Sequence, residues 1–466
     1  MSPNAFWFSQ RKRKLAFAAK PITCALLATM IIGTLLATPI LAQQFTPGNL
    51  VITRIQYDGN KFGSPLKYPY IFNNPNVTGV QGSIWLDQYT TTPFSPRVNT
   101  LGLTGITTSF SSKSEGALMM SVDGKHLTYM GYQSPNEIEG VSNSYTTAAN
   151  LKNNTHLLYN REVALINADG TYSLQPQSNA YSGDNPRAAI SVDGTQFYMA
   201  GNSDSTTYTN GTTGPGTTIG ARYGTPGSTS SYQLGKYFAT DRPDETPKQH
   251  IKDNNFRGIG IFNGNLYTSK GSGGNGDNGL FQVGTGLPTG TNNTITLLFG
   301  APATDPNTGK PSPYTPFGFW FANANTVYVA DEGYPNLDTH GNLIPDPYAG
   351  LQKWVYSNGS WQLEYTLRAG LNLYQATTVA GYPAQTYTYG IRNLAGKDNG
   401  DGTVTLYSIT AQYSTFSGGE PDPTKLVTIT DLVSAATLPS DEQFTTLQWS
   451  GAGEVFRGVS FTPGTF

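Results

Sequence analysis

The residues best suited to chemistry are basic side chains that recur immediately before a repeated strand pattern. Arg187, Arg257 and Arg457 occupy this position in three of the repeats. A guanidinium group binds carboxylate, phosphate or sulfate through two parallel hydrogen bonds. If the strands converge in the folded chain, the arginines predict a site for a small anionic ligand or an acidic glycan.

Aligning the repeats gives two positions at which side chains would meet. The first is filled by Glu115, Arg187, Arg257, Phe317, Tyr389 and Arg457, and the second by Tyr132, Gly201, Lys270, Asp331, Thr410 and Arg54. Five cations and two carboxylates therefore gather in a chain whose formal net charge is −2. The predicted ligand-binding residues are Arg187, Arg257, Arg457, Lys270 and Arg54. In the alternative interpretation each arginine pairs with an acid or carbonyl of a neighbouring repeat and holds the repeats together.

Acid–base chemistry, if the protein is an enzyme, would fall to Glu115, Asp331 or Tyr132, with arginines stabilising an anion. Glu115 and the pair 331–332, together with Asn202, also offer oxygen ligands for calcium, which makes calcium a candidate cofactor. The competing interpretation pairs Glu115 and Asp331 with nearby cations (Arg187, Arg257 or Lys270), because hard-cation sites seldom tolerate adjacent positive charges.

Familiar catalytic motifs do not occur in the sequence. It contains no G-x-S-x-G, no H-E-x-x-H and no P-loop, and its four histidines are scattered. Residues 271–276 contain G-x-G-x-x-G, but a strand pattern rather than a helix follows, which excludes a dinucleotide fingerprint. Residues 398–402 lack calcium-loop ligands and predict a long hairpin turn.

The repeats themselves predict the fold. Each begins with an apolar strand, continues through a glycine-containing turn and enters a second strand around a tyrosine, and two weaker strands follow. The anchor positions are 116, 188, 258, 318, 390 and 458, spaced 60 to 72 residues apart. Four antiparallel strands per repeat are typical of a propeller blade, so we predict an all-β, six-bladed β-propeller. A seventh blade would require an undetected repeat within the low-complexity stretch 203–231.

The last repeat, at residues 457–464, stops before its second strand. Residues 47–54 match the missing strand, and 83–89 and 97–103 would complete the blade. We therefore expect the ring to close by pairing the N- and C-terminal strands, which removes exposed sheet edges.

Composition supports this fold class. The 466 residues are only 12% charged and 12% aromatic and include 53 glycines and 30 prolines. These values exclude a coiled coil or a charged disordered chain and favour short strands separated by turns.

The first 42 residues predict a secretory signal. Basic residues at 11–14 and 20 precede an apolar run at 21–41, and the only cysteine, Cys24, lies within that run. The alternative is a retained membrane anchor. Removing residues 1–42 leaves a single predicted domain, 43–466, with a formal charge of −7. Nucleic acid is then an unsuitable partner, and no later apolar run would insert into a membrane. We expect a secreted, periplasmic or extracellular protein.

Three short sequence segments resemble those of a known group of proteins. Residues 457–463 (RGVSFTP), 121–124 (SVDG) and 327–331 (VYVAD) resemble exported bacterial β-propeller proteins of unassigned activity. The blade count is similar to that of gluconolactonase-like and strictosidine-synthase-like propellers. This second resemblance is architectural and implies a ligand site at the channel mouth.

Three functions follow as hypotheses. The first is a binding or scaffold protein that takes a small anionic ligand or acidic glycan at the central channel mouth. The second is a lactonase-like hydrolase or polysaccharide lyase, with calcium as a candidate cofactor. The third is an extracellular protein-interaction platform that uses the loops at 136–154, 203–232 and 334–348, whose tyrosine and amide content also suits sugars.

Overall fold

A computed structural model describes residues 45–57, 82–109, 112–146 except 137 and 139, 157–203, 218–239, 251–271, 276–303, 314–335, 338, 343–414 and 422–466. The described residues all lie in one compact unit, Ala42–Phe466. The predicted secretory signal falls outside them. Within the described ranges, no helix is long and apolar enough to cross a membrane.

The described residues fold into β-strands, with one short 3-10 helix at Val141–Asn143. The first seven strands are β1 (Leu50–Gln56), β2 (Gly82–Tyr89), β3 (Asn99–Thr108), β4 (Leu118–Met120), β5 (His126–Tyr132), β6 (Arg161–Asn167) and β7 (Tyr172–Gln177). The next nine are β8 (Pro186–Ser191), β9 (Phe197–Gly201), β10 (Arg222–Gly224), β11 (Tyr232–Gln233), β12 (Gly235–Lys236), β13 (Ile259–Phe262), β14 (Asn265–Lys270), β15 (Asp277–Val283) and β16 (Asn293–Pro302). The remaining strands are β17 (Pro316–Asn323), β18 (Thr326–Asp331), β19 (Gly350–Ser357), β20 (Ser360–Leu367), β21 (Ala376–Thr378), β22 (Gln385–Asp398), β23 (Thr403–Tyr413), β24 (Lys425–Leu432), β25 (Thr445–Trp449) and β26 (Glu454–Phe461).

These strands form a propeller-like ring of antiparallel sheets. The sheet orders are β26-β1-β2-β3-β5-β6-β7 with β4 paired to β5, β11-β10-β9-β8, β12-β16-β15-β14-β13, β17-β18-β19-β20 and β21-β22-β23-β24-β25. Only the short β12–β16 pair among the described strands is parallel. The strands β4, β8, β13, β17, β22 and β26 neighbour one another in a closed cycle, so they form the inner wall of the ring.

The all-β class and the strand positions are confirmed. The segments predicted as strands at 279–283 and 294–299 lie within β15 and β16, and those at 351–356 and 361–367 lie within β19 and β20. The first described strand pairs with the last, from Leu50 opposite Phe461 to Gln56 opposite Glu454. The predicted link between the two ends of the repeat array is therefore present.

The repeated glycines allow the inner strands to touch. A Cβ atom at Gly258 would lie 2.6 Å from the carbonyl oxygen of Phe317, and one at Gly318 would lie 2.8 Å from that of Arg392. Because neighbouring backbones approach this closely, a side chain at these positions would force the sheets apart.

Apolar and ionic contacts fill the space between sheets. Phe299 of β16 stacks on Trp354 of β19 with ring centroids 4.1 Å apart. Between the next two sheets, the buried Lys353 Nζ lies 3.1 Å from Asp431 Oδ2, and the Tyr365 hydroxyl donates to Asp431 Oδ1 at 2.7 Å. The sheets are thus joined by packed rings and by a fully buried ion pair.

Replacing Gly458 by alanine tests the contact between inner strands. The added Cβ would overlap the Gly116 carbonyl and lie 2.6 Å from the Leu118 amide nitrogen, so we expect the free energy of unfolding to fall by about 1–3 kcal/mol. Urea unfolding followed by tryptophan fluorescence measures the change. Gly290→Ala is the matched control, because no atom lies within 4 Å of its added Cβ. Equal stability of the two variants would contradict the close approach.

Candidate functional site

The first aligned position is assembled at the starts of the inner strands. Arg187 interacts electrostatically with Arg257, Asp184, Glu332 and Glu115, and Arg457 interacts with Glu115. Apart from Asp184, which is half-buried, all these side chains are buried. The structure therefore brings together the three arginines that the repeat alignment selects.

Glu332, which follows β18, joins its own sheet to the two neighbouring sheets at this centre. Arg257 Nη1 donates to Glu332 Oε1, and Arg392 Nε donates to Oε2 at 3.0 Å. Burial alone would raise the pKa of Glu332, but Arg257, Lys113 and Arg392 outweigh it and lower the pKa to about 2. Glu332 is therefore ionised at neutral pH and neutralises part of the cationic cluster.

Two cations of this cluster do not belong to the aligned positions. Arg392 Nη2 and Lys113 Nζ both donate to the Tyr389 hydroxyl, at 2.8 and 3.0 Å. Arg392 lies two residues after the anchor position 390, but a register shift between Ile391 and Leu394 breaks the strand alternation there. The bulge explains why alignment of repeats does not select Arg392, and Lys113 lies in the turn before β4, where no strand pattern applies.

Arg187 is a buried cation without an acidic partner. It donates to Asn255 Oδ1 and to the Phe256 carbonyl at 3.0 Å, and no carboxylate of the described chain lies within salt-bridge distance. Its Nε–H, like that of Arg257, is buried and finds no acceptor among the described residues. Burial and the charge of Arg257 lower the pKa of Arg187 to about 10.

Two uncharged groups of the described chain accept hydrogen bonds from Arg457. Its Nη1 donates to the Ser112 carbonyl at 2.5 Å, and its Nη2 donates to the Tyr57 hydroxyl at 2.8 Å. The arginine thus links β26 to the segment that precedes β4.

Lys270 and Arg54 have different surroundings. Lys270 Nζ donates to Asn278 Oδ1 at 3.0 Å. Burial lowers its pKa to about 7, and Arg257 and Arg187 are among the charges that act on it. Arg54 instead forms two salt bridges. Its Nε lies 2.5 Å from Asp87 Oδ2, and its Nη1 lies 3.2 Å from Glu454 Oε1. These contacts assign Arg54 to holding β1, β2 and the start of β26 together.

Glu115 is saturated by protein donors. Its two oxygens accept hydrogen bonds from Thr108 Oγ1 at 2.9 Å, the Ser109 amide at 2.8 Å, Asn185 Nδ2 at 2.9 Å and the Tyr132 hydroxyl. Burial raises the pKa of Glu115, and burial beside Glu115 raises that of Tyr132 well above its usual value. A carboxylate offers about four acceptor positions, so little capacity remains for a ligand.

Asp331 is saturated in the same way. Thr315 donates to it through its amide at 3.0 Å and its hydroxyl at 2.7 Å, and the Gly333 amide and Gln352 Nε2 donate at 2.8 and 3.1 Å. Burial and the charge of Asp346 raise the pKa of Asp331 to about 7.

The interpretation that pairs Glu115 and Asp331 with nearby cations is wrong. Neither Glu115 nor Asp331 forms a salt bridge with Arg187, Arg257 or Lys270 in the described structure. The partner of Arg257 is Glu332, one residue beyond Asp331 and beyond the end of β18.

The residues considered for calcium do not form one ligand set. Asn202 Nδ2 donates to Asp184, and Asn202 Oδ1 accepts from Lys252 Nζ at 3.1 Å. Glu115 and Asp331 have the separate hydrogen-bond partners given above. Across the described ranges, no group of three or more histidine, cysteine or acidic side chains is placed to hold a metal ion.

Comparison with known proteins gives likeness of fold only. No protein-family model matches the chain, and neither does any curated protein sequence. Among solved structures, the chain is similar to a candidate 6-phosphogluconolactonase from Bacteroides uniformis, with 11% identity, 85% of this chain and 100% of that chain covered, and a TM-score of 0.30. It is also similar to an ulvan lyase bound to -[GlcA(1-4)Rha3S]-, with 10% identity, coverage of 88% and 96%, and a TM-score of 0.31. A third similar structure is the haemagglutinin-neuraminidase ectodomain of parainfluenza virus 5, with 9% identity, coverage of 88% and 83%, and a TM-score of 0.27. TM-scores this low identify neither a ligand nor a reaction.

Glu332→Gln tests the ionic centre. Two buried guanidinium groups would lose their shared carboxylate, so we expect the free energy of unfolding at pH 7 to fall by about 3–5 kcal/mol. A depressed pKa stabilises the fold above the ordinary value of 4.5, and this contribution is lost as pH falls towards about 2. The difference between wild type and variant should therefore shrink between pH 5 and pH 3 in urea titrations. Glu364→Gln, on β20, is the control, and a pH-independent difference would contradict the assignment.

Proposed function

We propose that the protein is an exported six-bladed β-propeller that binds a small anionic ligand or an acidic glycan beside Arg187 and Arg257, as a binding or scaffold protein. One observation carries the proposal: Arg187 is buried without an acidic partner, and the Nε–H groups of both arginines find no acceptor in the described chain. Buried guanidinium donors without acceptors are costly unless an anion completes the site.

The balance of charge supports the same proposal. The centre contains Lys113, Arg187, Arg257, Arg392 and Arg457. Against them stand the carboxylates of Glu332, which is ionised, and of Glu115 and Asp184, which also act on Arg187. In a site with little water, an incoming carboxylate or sulfate would gain more from these cations than it would at the surface.

The count of six blades is part of this proposal and depends on how the largest sheet is divided. The largest sheet divides into two four-stranded halves joined through one residue pair, Thr107 opposite Tyr132. With that division, the inner strands β4, β8, β13, β17, β22 and β26 each belong to a separate group of at least four strands, and two of the groups carry a fifth, short strand, β12 or β21. The stretch suspected of hiding a seventh repeat contributes β10, which pairs with β9 of an existing group.

The contacts favour binding over catalysis. Glu115 and Asp331 each already accept four hydrogen bonds. The Tyr132 hydroxyl donates to Glu115, and its raised pKa makes it a poor base at neutral pH. A lactonase-like or lyase reaction would need one of these groups free, so the hydrolase or lyase hypothesis has weaker support. Export itself is inferred from residues 1–42 alone.

Ligand-induced thermal stabilisation of residues 43–466 tests the site. The probes are glucuronate, sulfate, phosphate and an oligogalacturonide, and a ligand at 100 times its Kd adds about 2.7 kcal/mol to the stability of the folded state. We expect at least one anion to raise the Tm of the wild type and to have no effect on Arg187→Gln. Arg187→Lys should retain only part of the shift, because lysine keeps the charge but loses the two-pronged geometry.

Arg97→Gln is the matched control for loss of an arginine. Its side chain is 45% exposed and pairs with Asp87, so the ligand-induced shift should survive. The proposal would be overturned by no shift with any of the four anions, or by equal shifts in wild type and Arg187→Gln.

A further inference from the structure

We propose that a groove between β11 and β16 binds a carbohydrate chain, separately from the anion site at the ring centre. The groove has a volume of about 1180 Å³ and is lined by residues of β10 to β12 and by the start of β16. Pockets for drug-sized ligands measure about 300–1,000 Å³, so the groove has room for several linked sugar rings rather than one.

Two exposed aromatic rings line this one groove. Tyr232 is 58% exposed and Phe238 is 51% exposed. Single exposed rings are common on protein surfaces, whereas two rings in one cavity form an apolar surface that a ligand can cover. The flat C–H faces of pyranose rings stack on such side chains, and a tyrosine hydroxyl adds a polar contact at the ring edge.

Amide and hydroxyl groups supply the hydrogen-bonding part of the groove. Asn292, Thr294 and Thr296 line it from the β16 side and are exposed. Gln233 lines the other side, where its Nε2 donates to the Ile219 carbonyl at 3.1 Å and its Oε1 remains available as an acceptor. Side chains of these types can both donate to and accept from sugar hydroxyls.

The two walls are fixed relative to each other. Strand β12 pairs with β16, with Gly235 opposite Asn293. Asn293 Nδ2 donates to the Leu234 carbonyl at 2.8 Å, and the Leu234 amide donates to the Ala221 carbonyl at 2.9 Å. A groove held by backbone pairing needs little ordering when a ligand binds, which favours affinity.

The charges of the groove select against basic partners. Among the described residues that line the groove there is no carboxylate, whereas Lys236 is exposed and Arg222 is buried with its Nε donating to Ser231 Oγ at 2.9 Å. Neutral sugars are therefore accepted, and acidic sugars would gain from Lys236.

Affinity electrophoresis in gels containing soluble xylan, mixed-linkage β-glucan or polygalacturonate tests the groove. We expect at least one polysaccharide to retard the wild type, and the double variant Tyr232→Ala/Phe238→Ala to lose at least tenfold in affinity. Phe94→Ala is the matched control, because Phe94 is 64% exposed but does not line the groove, and it should be retarded like the wild type. Urea unfolding of the double variant checks that any loss of retardation does not come from loss of folding.

The Arg187→Gln variant separates the two proposals, since retardation through the groove should persist when the central site is lost. Failure of all three polysaccharides to retard the wild type would overturn the groove proposal. So would equal retardation of wild type and double variant, or retardation abolished by Arg187→Gln and unaffected by the double variant. Loss of the anion-induced Tm shift in Arg187→Gln bears only on the central site.

Discussion

Backbone contact between neighbouring inner strands is the constraint on which the other features of this protein depend. Glycines at five of the six anchor positions allow it, with Ala188 at the sixth, since a Cβ at Gly258 or Gly318 would fall within 3 Å of a carbonyl oxygen on the next inner strand. Where strands approach so closely, the residues just before them are drawn to a common centre. Arg257 and Arg457 reach groups on neighbouring repeats for this reason, so the packing of small residues and the concentration of charge have the same origin.

The arginines gathered at this centre repel one another, and acidic side chains of the described chain offset that repulsion only in part. Glu332 serves Arg257 and Arg392 together, and neutral carbonyl and hydroxyl acceptors serve Arg187 and Arg457. Neutral acceptors satisfy N–H groups without cancelling the charge. The acids considered for catalysis, Glu115 and Asp331, each accept four hydrogen bonds from local donors.

Much of the fold could be predicted from the sequence because its signals are local and recur. Strand pairs such as β19 and β20 follow from alternation and turn residues, and the pairing of β1 with β26 follows from one incomplete repeat. The site was only partly predictable. Arg392 reaches the centre through a bulge that no period-two pattern contains, and the ion-pairing acid is Glu332 rather than its neighbour Asp331. Which of two adjacent acids meets an arginine depends on tertiary packing, and so does the number of donors around Glu115.

The joining of the two ends of the array in one sheet also sets the order of events in folding. The Gly458 amide donates to the Thr53 hydroxyl at 2.5 Å across 405 residues of chain. Contacts of such long range form slowly, since the entropy of closing the loop must be overcome before they contribute any stability. Until β26 is available, β1 presents an unpaired edge to solvent, and such edges promote aggregation. The chain is therefore most vulnerable during synthesis, before its last strand can dock, and we expect it to benefit from a chaperone that covers β1 over that interval.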